Sequence, residues 1–302
     1  MAAESTSDRR ASDIAAHRRR LDAALPRRRQ AKKPAFPFGA NWRRFLATLS
    51  EERIVRAQRS LAEFLGDGHL EGRSFLDVGC GSGLFSLAAR RLGARVYSFD
   101  CDPECVACAR DLRQRYFPDD PRWTVEQGSV LDAEFLEGIG TFDIVYAWGV
   151  LHHTGDMWRA MEAVASRVAR GGTLYLAIYN DQGWASRVWR CVKRCYCLAP
   201  RGLRWVILIP AAIRLWAPTM LKDLVRHRCA LATWRRCGEE RGMSPWHDIV
   251  DWVGGYPFEC ARPDAVQAFY VERGFTLERL RIRTGRGCNE YLLRHSASHA
   301  LR

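Results

Sequence analysis

A run of glycines between two carboxylates is the feature of this sequence that most directly suggests chemistry. The run Asp77–Gly83, D-V-G-C-G-S-G, places Gly79, Gly81 and Gly83 between an apolar segment and a helix-forming one. Such glycines let bare backbone approach a ligand, and the following helix start adds unpaired N–H groups. Asp100 ends the next apolar segment, about 20 residues after the first glycine, where a carboxylate accepts hydrogen bonds from ribose hydroxyls. The pattern predicts a site for a nucleoside-containing cofactor.

Two adjacent histidines, His152 and His153, lie in the stretch Y-A-W-G-V-L-H-H-T that follows a predicted strand. An imidazole with a pKa near ~6.5 suits the removal of a proton from a phenol or another hydroxyl. In the alternative interpretation the histidines hydrogen-bond locally and shape the loop, and alignment of the reactants with exclusion of water supplies the rate. Under the first interpretation both residues are catalytic candidates.

Polar residues at two further places are candidates for binding a substrate. Asn180 and Asp181 follow the fifth predicted strand, and open α/β sheets bind ligands at this edge. His247 and Tyr256 lie in the stretch 243–259, which crowds aromatic and ionisable residues around a Gly-Gly pair. A loop of this composition favours a functional role, and a purely structural loop is the alternative.

Strand and helix patterns alternate from residue 74 onward, which predicts a parallel sheet covered on both faces. The predicted strands are 74–78, 96–100, 123–127, 142–147, 173–179, 275–283 and 288–294. The predicted helices are 84–92, 103–115, 132–137, 156–169, 185–198 and 264–273. Gly171 and Gly172 are expected to form the turn into the fifth strand.

The motif Asp77–Gly83 closely resembles the first motif of the class I S-adenosylmethionine-dependent methyltransferases. The segment 151–153 resembles the L-H-H segment of members that act on small molecules. Over residues 72–180 and 262–295, the resemblance implies an α/β fold with a Rossmann-like, mostly parallel, seven-stranded sheet. It also implies S-adenosyl-L-methionine as cofactor and a small-molecule or lipophilic acceptor, with O-methylation favoured. The branch it is most similar to is that of the ubiquinone-biosynthesis O-methyltransferases, whose members carry a membrane-associating insertion after the fifth strand.

The same resemblance implies which residues bind the cofactor. The assigned residues are Asp77, Gly79, Cys80, Gly81 and Gly83 at the methionine end, Asp100 at the ribose, Cys101, Ser129 and Val130 at the adenine, and Trp148 in the wall near the sulfonium. Ser129 departs from the family pattern, because many members carry an acid at this place. A hydroxyl can still meet the adenine amino group.

The length of 302 residues and the apolar content of 47% allow one elaborated α/β domain with a cap. The predicted segments are a basic flexible arm (1–40), N-terminal helices beside or over the cofactor site (41–71), the cofactor-binding core (72–180), a basic helical insertion with a substrate loop (181–261), and a C-terminal helix with closing strands (262–302). The absence of a signal-peptide pattern and of a disulfide framework predicts a cytoplasmic protein. The pair Cys105 and Cys108 has no second pair with matching spacing, so no metal site is predicted.

The net charge of +13 is concentrated in two segments. Residues 1–45 carry a net +8 and residues 181–242 a net +9, whereas the rest of the chain carries −4. A slightly acidic core argues against a continuous nucleic-acid groove. Attachment to an anionic surface fits this distribution better.

The insertion combines this charge with apolar surface. A helical wheel of 185–198 places Arg187, Arg190, Lys193 and Arg194 on one face, opposite an apolar face. The apolar run 205–213 that follows is too short to span a membrane. We expect peripheral association with an anionic membrane, at the inner face of the cytoplasmic membrane; a cap packed on the core is the alternative.

Two other functions remain open at this point. The charge of +13 is compatible with an RNA or DNA methyltransferase, although the fourth strand is followed by W-G-V-L-H-H rather than the N/D-P-P-Y of amino-directed nucleic-acid enzymes. The third possibility is a protein that binds S-adenosylmethionine without catalysis. The intact glycine loop, ribose carboxylate and L-H-H segment argue against it, and binding without turnover over a broad acceptor panel would favour it.

Overall fold

The periodic segments of the sequence fold into helices and strands that alternate along the chain. The structure is a computed structural model that describes residues 38–66, 68–233, 245–283 and 287–297. The helices are α1 (Phe38–Ala47), α2 (Glu51–Leu65), α3 (Leu84–Arg91), α4 (Pro103–Tyr116), α5 (Ala133–Ile139), α6 (Met157–Ala165), α7 (Trp184–Leu198), α8 (Arg204–His227), α9 (Pro245–Gly254) and α10 (Pro263–Val271). The strands are β1 (Ser74–Val78), β2 (Arg95–Asp100), β3 (Trp123–Gln127), β4 (Phe142–Trp148), β5 (Val168–Tyr179), β6 (Phe275–Arg281) and β7 (Cys288–His295). The predicted basic arm, residues 1–40, lies outside the described residues except for its last three positions.

The strands form one seven-stranded sheet in the order β3-β2-β1-β4-β5-β7-β6. Strands β1 to β5 are parallel, and β7 is antiparallel to both of its neighbours. Parallel strands need crossover connections, and helices supply most of them here. The carboxyl ends of β1, β2 and β4 therefore meet at one edge of the sheet. The predicted Rossmann-like fold is confirmed.

Each face of the sheet is covered by helices, so the sheet is buried on both sides. One apolar cluster joins α1 to α4 to the first face and includes Phe64, Phe75 and Trp123. A second joins α5, α6 and α10 to the other face and includes Phe99 and Tyr270. The two apolar clusters hold the strands in place, and with them the strand ends that border the site.

The start of β5 differs from the prediction. The expected turn at Gly171 and Gly172 is wrong, because β5 already begins at Val168 and runs through both glycines. Its pairing with β4 shifts register between Val168 and Thr173, and Gly171 has φ +72°. Between these two positions β5 contains more residues than β4. A bulge at Gly171, whose φ lies in the left-handed region, accommodates the additional residues.

Helices α7, α8 and α9 form a cap with an apolar cluster of its own, which includes Tyr196, Leu208, Trp216 and Val253. Helix α8 continues far beyond the predicted apolar run and contains Pro210 and Pro218. By length and composition alone, the stretch 201–227 could cross a membrane. The helix is therefore much longer than the predicted apolar run 205–213, because it extends through residues that are less uniformly apolar.

The predicted basic face of α7 is also only partly correct. Lys193 is fully buried; its ammonium donates to the Trp252 carbonyl and lies 4.3 Å and 4.8 Å from the ring centroids of Trp252 and Phe258. Arg190 donates through Nε to the Phe258 carbonyl at 3.0 Å. Aromatic faces stabilise a desolvated cation, and a helical wheel contains no information about such partners. Arg187, Arg190 and Arg194 are exposed, and of these Arg187 and Arg194 have no hydrogen-bond or ion-pair partner among the described residues.

Candidate active site

The glycine loop follows β1 and is held by close packing. Gly79, Gly81 and Gly83 all have positive φ, at +67°, +54° and +79°. A Cβ at Gly79 would lie 2.2 Å from Val150 Cγ2, and one at Gly83 would lie 2.9 Å from Ala109 Cα. Both the backbone conformation and the lack of space therefore exclude any residue but glycine at positions 79 and 83. The loop lies at the edge where β1, β2 and β4 end, with Gly79 half-buried and residues 80–83 buried.

Asp100 closes the other side of this loop at the end of β2. Its carboxylate accepts hydrogen bonds from the backbone N–H groups of Gly81, at 3.0 Å, and Asp102, at 2.9 Å. The side chain is nearly buried, and burial raises the pKa of this carboxyl above its usual value. A carboxylate has about four lone-pair sites, so Asp100 can accept ribose hydroxyls in addition to these two donors.

Asp77 lies beneath the loop rather than on its surface. It is buried and accepts a hydrogen bond from the Ser86 hydroxyl. The Ser86 and Ser98 hydroxyls are 2.8 Å apart, and the Trp123 indole donates to Ser98 at 3.0 Å. Burial raises the pKa of Asp77 to about 7, although the hydrogen bond from Ser86 acts to lower the pKa. Asp77 is thus the buried end of a polar chain that supports the glycine loop.

This pKa makes the stability of the protein depend on pH. The folded state binds the Asp77 proton more tightly than the unfolded state, whose pKa is near 3.8, so ionisation of Asp77 destabilises the protein as pH rises from about 4 to 7. We expect Asp77→Asn, which can still accept from Ser86, to stabilise the protein by about 2–3 kcal/mol more at pH 8 than at pH 5. Urea unfolding at both pH values measures this difference. Equal stabilisation by Asp77→Asn at pH 5 and pH 8 would contradict a raised pKa of Asp77.

The residues assigned to the adenine lie in the loops after β2 and β3. Cys101 is exposed and its carbonyl accepts from the Gln127 amide at 3.4 Å. The Ser129 hydroxyl accepts from the Leu131 N–H at 3.2 Å, which leaves its own O–H as a donor. Val130 is buried in the core, so this residue can offer only its backbone. Cys80, in the glycine loop, is also buried. These roles remain predictions.

Trp148 ends β4 at the open edge of the sheet. The side chain is 43% exposed, and its indole N–H donates to Glu290 on β7 at 3.2 Å. Glu290 also pairs with Arg281 at 2.9 Å. Trp148 therefore reaches over β5 towards β7, and the position of its ring as a wall near the sulfonium remains a prediction.

His152 is fully buried within a group of rings. Its ring centroid lies 4.0 Å from that of Tyr179 and 4.5 Å from that of His153. Neither ring nitrogen has a hydrogen-bond partner among the described residues. Burial lowers the pKa of His152 well below its usual value, and the nearby positive charge of Lys193 adds to this lowering. A neutral, enclosed ring without access to solvent supports the loop rather than taking up a proton.

His153 has a defined orientation. Its Nδ1 lies 2.6 Å from the Pro257 carbonyl, and since a carbonyl only accepts, Nδ1 carries the hydrogen. Nε2 of the neutral ring therefore has the free lone pair. Burial lowers the pKa of His153 to about 4, Lys193 contributes to the lowering, and the bond to Pro257 opposes it. The ring is thus neutral at pH 7 and can accept a proton through Nε2.

Helix α1 covers both halves of the site; the sequence predicted N-terminal helices beside or over it but not these contacts. Phe38 contacts the His153 ring at 5.2 Å between centroids. One turn later, the Trp42 ring lies against Gly81, where an added Cβ would be 3.0 Å away. The N–H of Gly39 donates to the Asp102 carboxylate at 3.0 Å. Positions four residues apart share one helix face, which was the only available signal.

Two of the four substrate candidates lie together, at the end of β5. Asn180 forms a bridge with Ala261 and lines a cavity of about 220 Å³ between the sheet and the cap. The carboxylate of its neighbour Asp181 accepts from the Gly183 N–H at 2.9 Å. Tyr256 directly precedes Pro257, the partner of His153. The side chain of His247 lies outside the described residues.

Comparison with known proteins assigns this arrangement to a class. The sheet order with β7 antiparallel, and a glycine loop between β1 and a carboxylate that ends β2, define the fold and site of a class I methyltransferase. A family model described as a methyltransferase domain matches residues 49–226, which include β1 to β5 and most of the cap. The chain belongs to this family, and the predicted class of S-adenosylmethionine-dependent methyltransferases is confirmed.

Curated relatives match a part of the chain. The ubiquinone biosynthesis O-methyltransferase of Xanthomonas campestris is 40% identical over 111 residues, 37% of this chain and 45% of the relative. The protein of the same description from Caulobacter sp. is 29% identical over 179 residues, 56% of this chain and 64% of the relative. The chain therefore spans about half the length of the curated relatives that it matches.

Solved structures are similar to this chain at low sequence identity. PKMT2 from Rickettsia typhi in complex with AdoHcy has a TM-score of 0.52 at 12% identity, covering 79% of this chain and 52% of that chain. The magnesium protoporphyrin IX methyltransferase of Synechocystis PCC 6803 with bound SAH has a TM-score of 0.49 at 18% identity, covering 81% of this chain and 84% of that chain.

The residues at the glycine loop fit S-adenosylmethionine, the methyl donor of this class. The donor needs close approach to bare backbone, and Gly79, Gly81 and Gly83 offer backbone without side chains in the left-handed region. It needs a carboxylate for the ribose, and Asp100 stands at the adjacent strand end with free lone pairs. The fit therefore depends on two features that the sequence motif already contains.

Proposed function

We propose that this chain transfers a methyl group from S-adenosylmethionine to a hydroxyl oxygen of a small-molecule acceptor, with His153 as the proton acceptor. The observation that carries the proposal is the bond from Nδ1 of His153 to the Pro257 carbonyl. This bond fixes the tautomer and leaves Nε2 unprotonated beside the end of β4. The similarity to ubiquinone biosynthesis O-methyltransferases over part of the chain supports an oxygen acceptor.

The methyl group comes from the donor, and the proton of the acceptor hydroxyl goes to His153. When bound, the donor supplies an electrophilic methyl group: its carbon–sulfur bond breaks as a carbon–oxygen bond forms, and the sulfonium becomes a neutral thioether. The proton of the hydroxyl passes to Nε2 of His153 and then to solvent. Helix α1 covers the site through Phe38 and Trp42, which excludes water that would compete with the acceptor.

Methyl transfer from labelled donor to a matched acceptor panel tests this proposal. The panel contains simple phenols and catechols, anilines of the same shape, and total RNA. We expect label in the phenols and catechols as methyl ethers, identified by mass spectrometry. Label in anilines or RNA with none in the hydroxyl compounds would contradict O-methylation while leaving the class of the protein intact.

We also propose peripheral association with a membrane through the cap. Trp184 on α7 is 75% exposed, and Trp205 and Ile213 on α8 are 63% and 61% exposed. Exposed arginines, Arg187 and Arg194 among them, lie near this apolar surface in the sequence. Amphipathic helices with tryptophan and arginine lie in the plane of a membrane interface. The opposite face of α8 packs into the cap, which favours this arrangement over a helix that crosses the bilayer.

Vesicle flotation measures this association. We expect the protein to float with anionic vesicles, less so at high salt, because each basic residue near the surface contributes ~1 kcal/mol and salt screens it. The double variant Trp205→Ser/Ile213→Ser should lose most of the flotation, whereas Val271→Ser, an exposed apolar residue outside the cap, should not. Protein that stays in solution with anionic vesicles at low salt would contradict the proposal.

A further inference from the structure

The cavity beside Asn180 has a composition that points to a class of ligand. It lies between the end of β5 and the cap helices α7, α8 and α9, and its volume is about 220 Å³. Four aromatic rings line it: those of Tyr179, Trp189, Trp252 and Phe258. One charged side chain, Arg214 of α8, is among its described lining residues.

The aromatic rings support one another, so their positions are defined. The ring of Trp252 lies 5.3 Å from that of Tyr179 at 87° and 6.1 Å from that of Trp189 at 71°. Phe258 lies 5.2 Å from Tyr179. Edge-to-face contacts of this kind are favourable. A preformed aromatic wall of this shape suits a flat, apolar ring.

The charge around the cavity is positive. Arg214 has no acidic or carbonyl partner among the described residues, and none of the described lining residues is acidic. Behind the aromatic wall, Lys193 lies against Trp252 and Phe258, and Arg190 binds the Phe258 carbonyl. The nearby carboxylate of Asp181 is turned towards the Gly183 N–H. An unpaired guanidinium at the rim is well placed to bind a carboxylate in a bidentate manner.

We propose that this cavity binds a single-ring aromatic carboxylate, with the ring between the aromatic side chains and the carboxylate on Arg214. That such a ring is the methyl acceptor rests on the proposed function. The Tyr179 ring lines the cavity and contacts the rings of both His152 and His153, so the cavity lies directly beside the histidine pair.

The volume supports one ring. A cavity of roughly 150 Å³ holds a benzene molecule, and pockets for larger drug-sized ligands measure about 300–1,000 Å³. A cavity of about 220 Å³ therefore accommodates a benzene ring with a carboxylate and one or two small substituents.

Calorimetric titration with matched probes tests the proposal. The probes are 4-hydroxybenzoate and 4-hydroxybenzamide, which have nearly the same shape and differ in charge. The variants are Arg214→Gln and, as a control, Arg226→Gln, an exposed arginine of the same helix that does not line the cavity. Titration of S-adenosylhomocysteine into each sample reports separately on the glycine loop.

We expect the benzoate to bind at least tenfold more tightly than the amide, because charge-assisted hydrogen bonds are about twice as strong as neutral ones. Arg214→Gln should remove this preference, and Arg226→Gln should retain it. Equal affinities of benzoate and amide for the unmodified protein, an unchanged preference in Arg214→Gln, or no benzoate binding at millimolar concentration would overturn the inference. Binding of the benzoate without S-adenosylhomocysteine binding would instead contradict the proposed function and leave the anion site standing.

Discussion

Replacement of His153 by alanine is expected to lower the rate of methyl transfer about a hundredfold. General-base catalysis contributes roughly 10²–10⁴-fold, and the low pKa of about 4 makes His153 a weak base, which favours the lower end. Affinity for S-adenosylhomocysteine should change little, since the glycine loop and Asp100 do not contact this ring in any described hydrogen bond. Steady-state rates and calorimetry on the same preparations measure the two quantities.

A second substitution separates proton transfer from orientation. His153→Asn can still donate an amide N–H to the Pro257 carbonyl, but it has no basic nitrogen. If the proposal is correct, this variant is as slow as the alanine variant, and the wild-type rate varies little between pH 5.5 and 8 because the ring is already neutral throughout. Wild-type activity in His153→Asn would mean that the residue only positions the loop.

Substitution of Gly79 by alanine is expected to have the largest effect on stability. The residue has φ +67°, which costs an alanine about 1–2 kcal/mol, and the new Cβ would lie 2.2 Å from Val150 Cγ2. Overpacking of this kind costs about 1–3 kcal/mol more. We expect the free energy of unfolding to fall by about 2–5 kcal/mol and binding of S-adenosylhomocysteine to be lost. Urea unfolding and calorimetry measure these effects.

Matched variants distinguish the two contributions. Gly171 has nearly the same φ, +72°, but no atom within 4 Å of an added Cβ, so Gly171→Ala carries the conformational cost alone. The double variant Gly79→Ala/Val150→Ala should regain part of the lost stability because it removes both methyl groups of Val150. If Gly79→Ala is as stable as Gly171→Ala, the contact between residue 79 and Val150 does not contribute, and the account of close packing is wrong.

The sheet and the glycine loop were predictable because their signals are local. A strand, three glycines and a helix occupy fewer than 20 consecutive residues, and Asp100 follows at a spacing that the fold requires. The apolar patterns also placed most strands within a few residues of their observed bounds. The error at β5 arose because Gly171 serves a bulge within a strand, and a glycine pair has the same composition in a bulge as in a turn.

The contacts that complete the site were not predictable in this way. Lys193 has the spacing of a solvent-facing residue, yet Trp252 and Phe258, some 60 residues later in the chain, surround it. The tautomer of His153 depends on Pro257, and the cover over its ring depends on Phe38, 115 residues earlier in the chain. Contacts between distant segments depend on how the folded chain packs. The hydrophobic periodicity of one segment does not predict them.

The central claim is that the glycine loop and Asp100 bind the donor, and calorimetric titration of S-adenosylhomocysteine tests it most directly. We expect one molecule to bind per chain, with an affinity about ten- to a hundredfold lower in Asp100→Ala, because the loss of charge-assisted hydrogen bonds costs ~1.5–3 kcal/mol. Absence of binding to the unmodified protein at millimolar ligand, or equal affinities of the two proteins, would contradict the account.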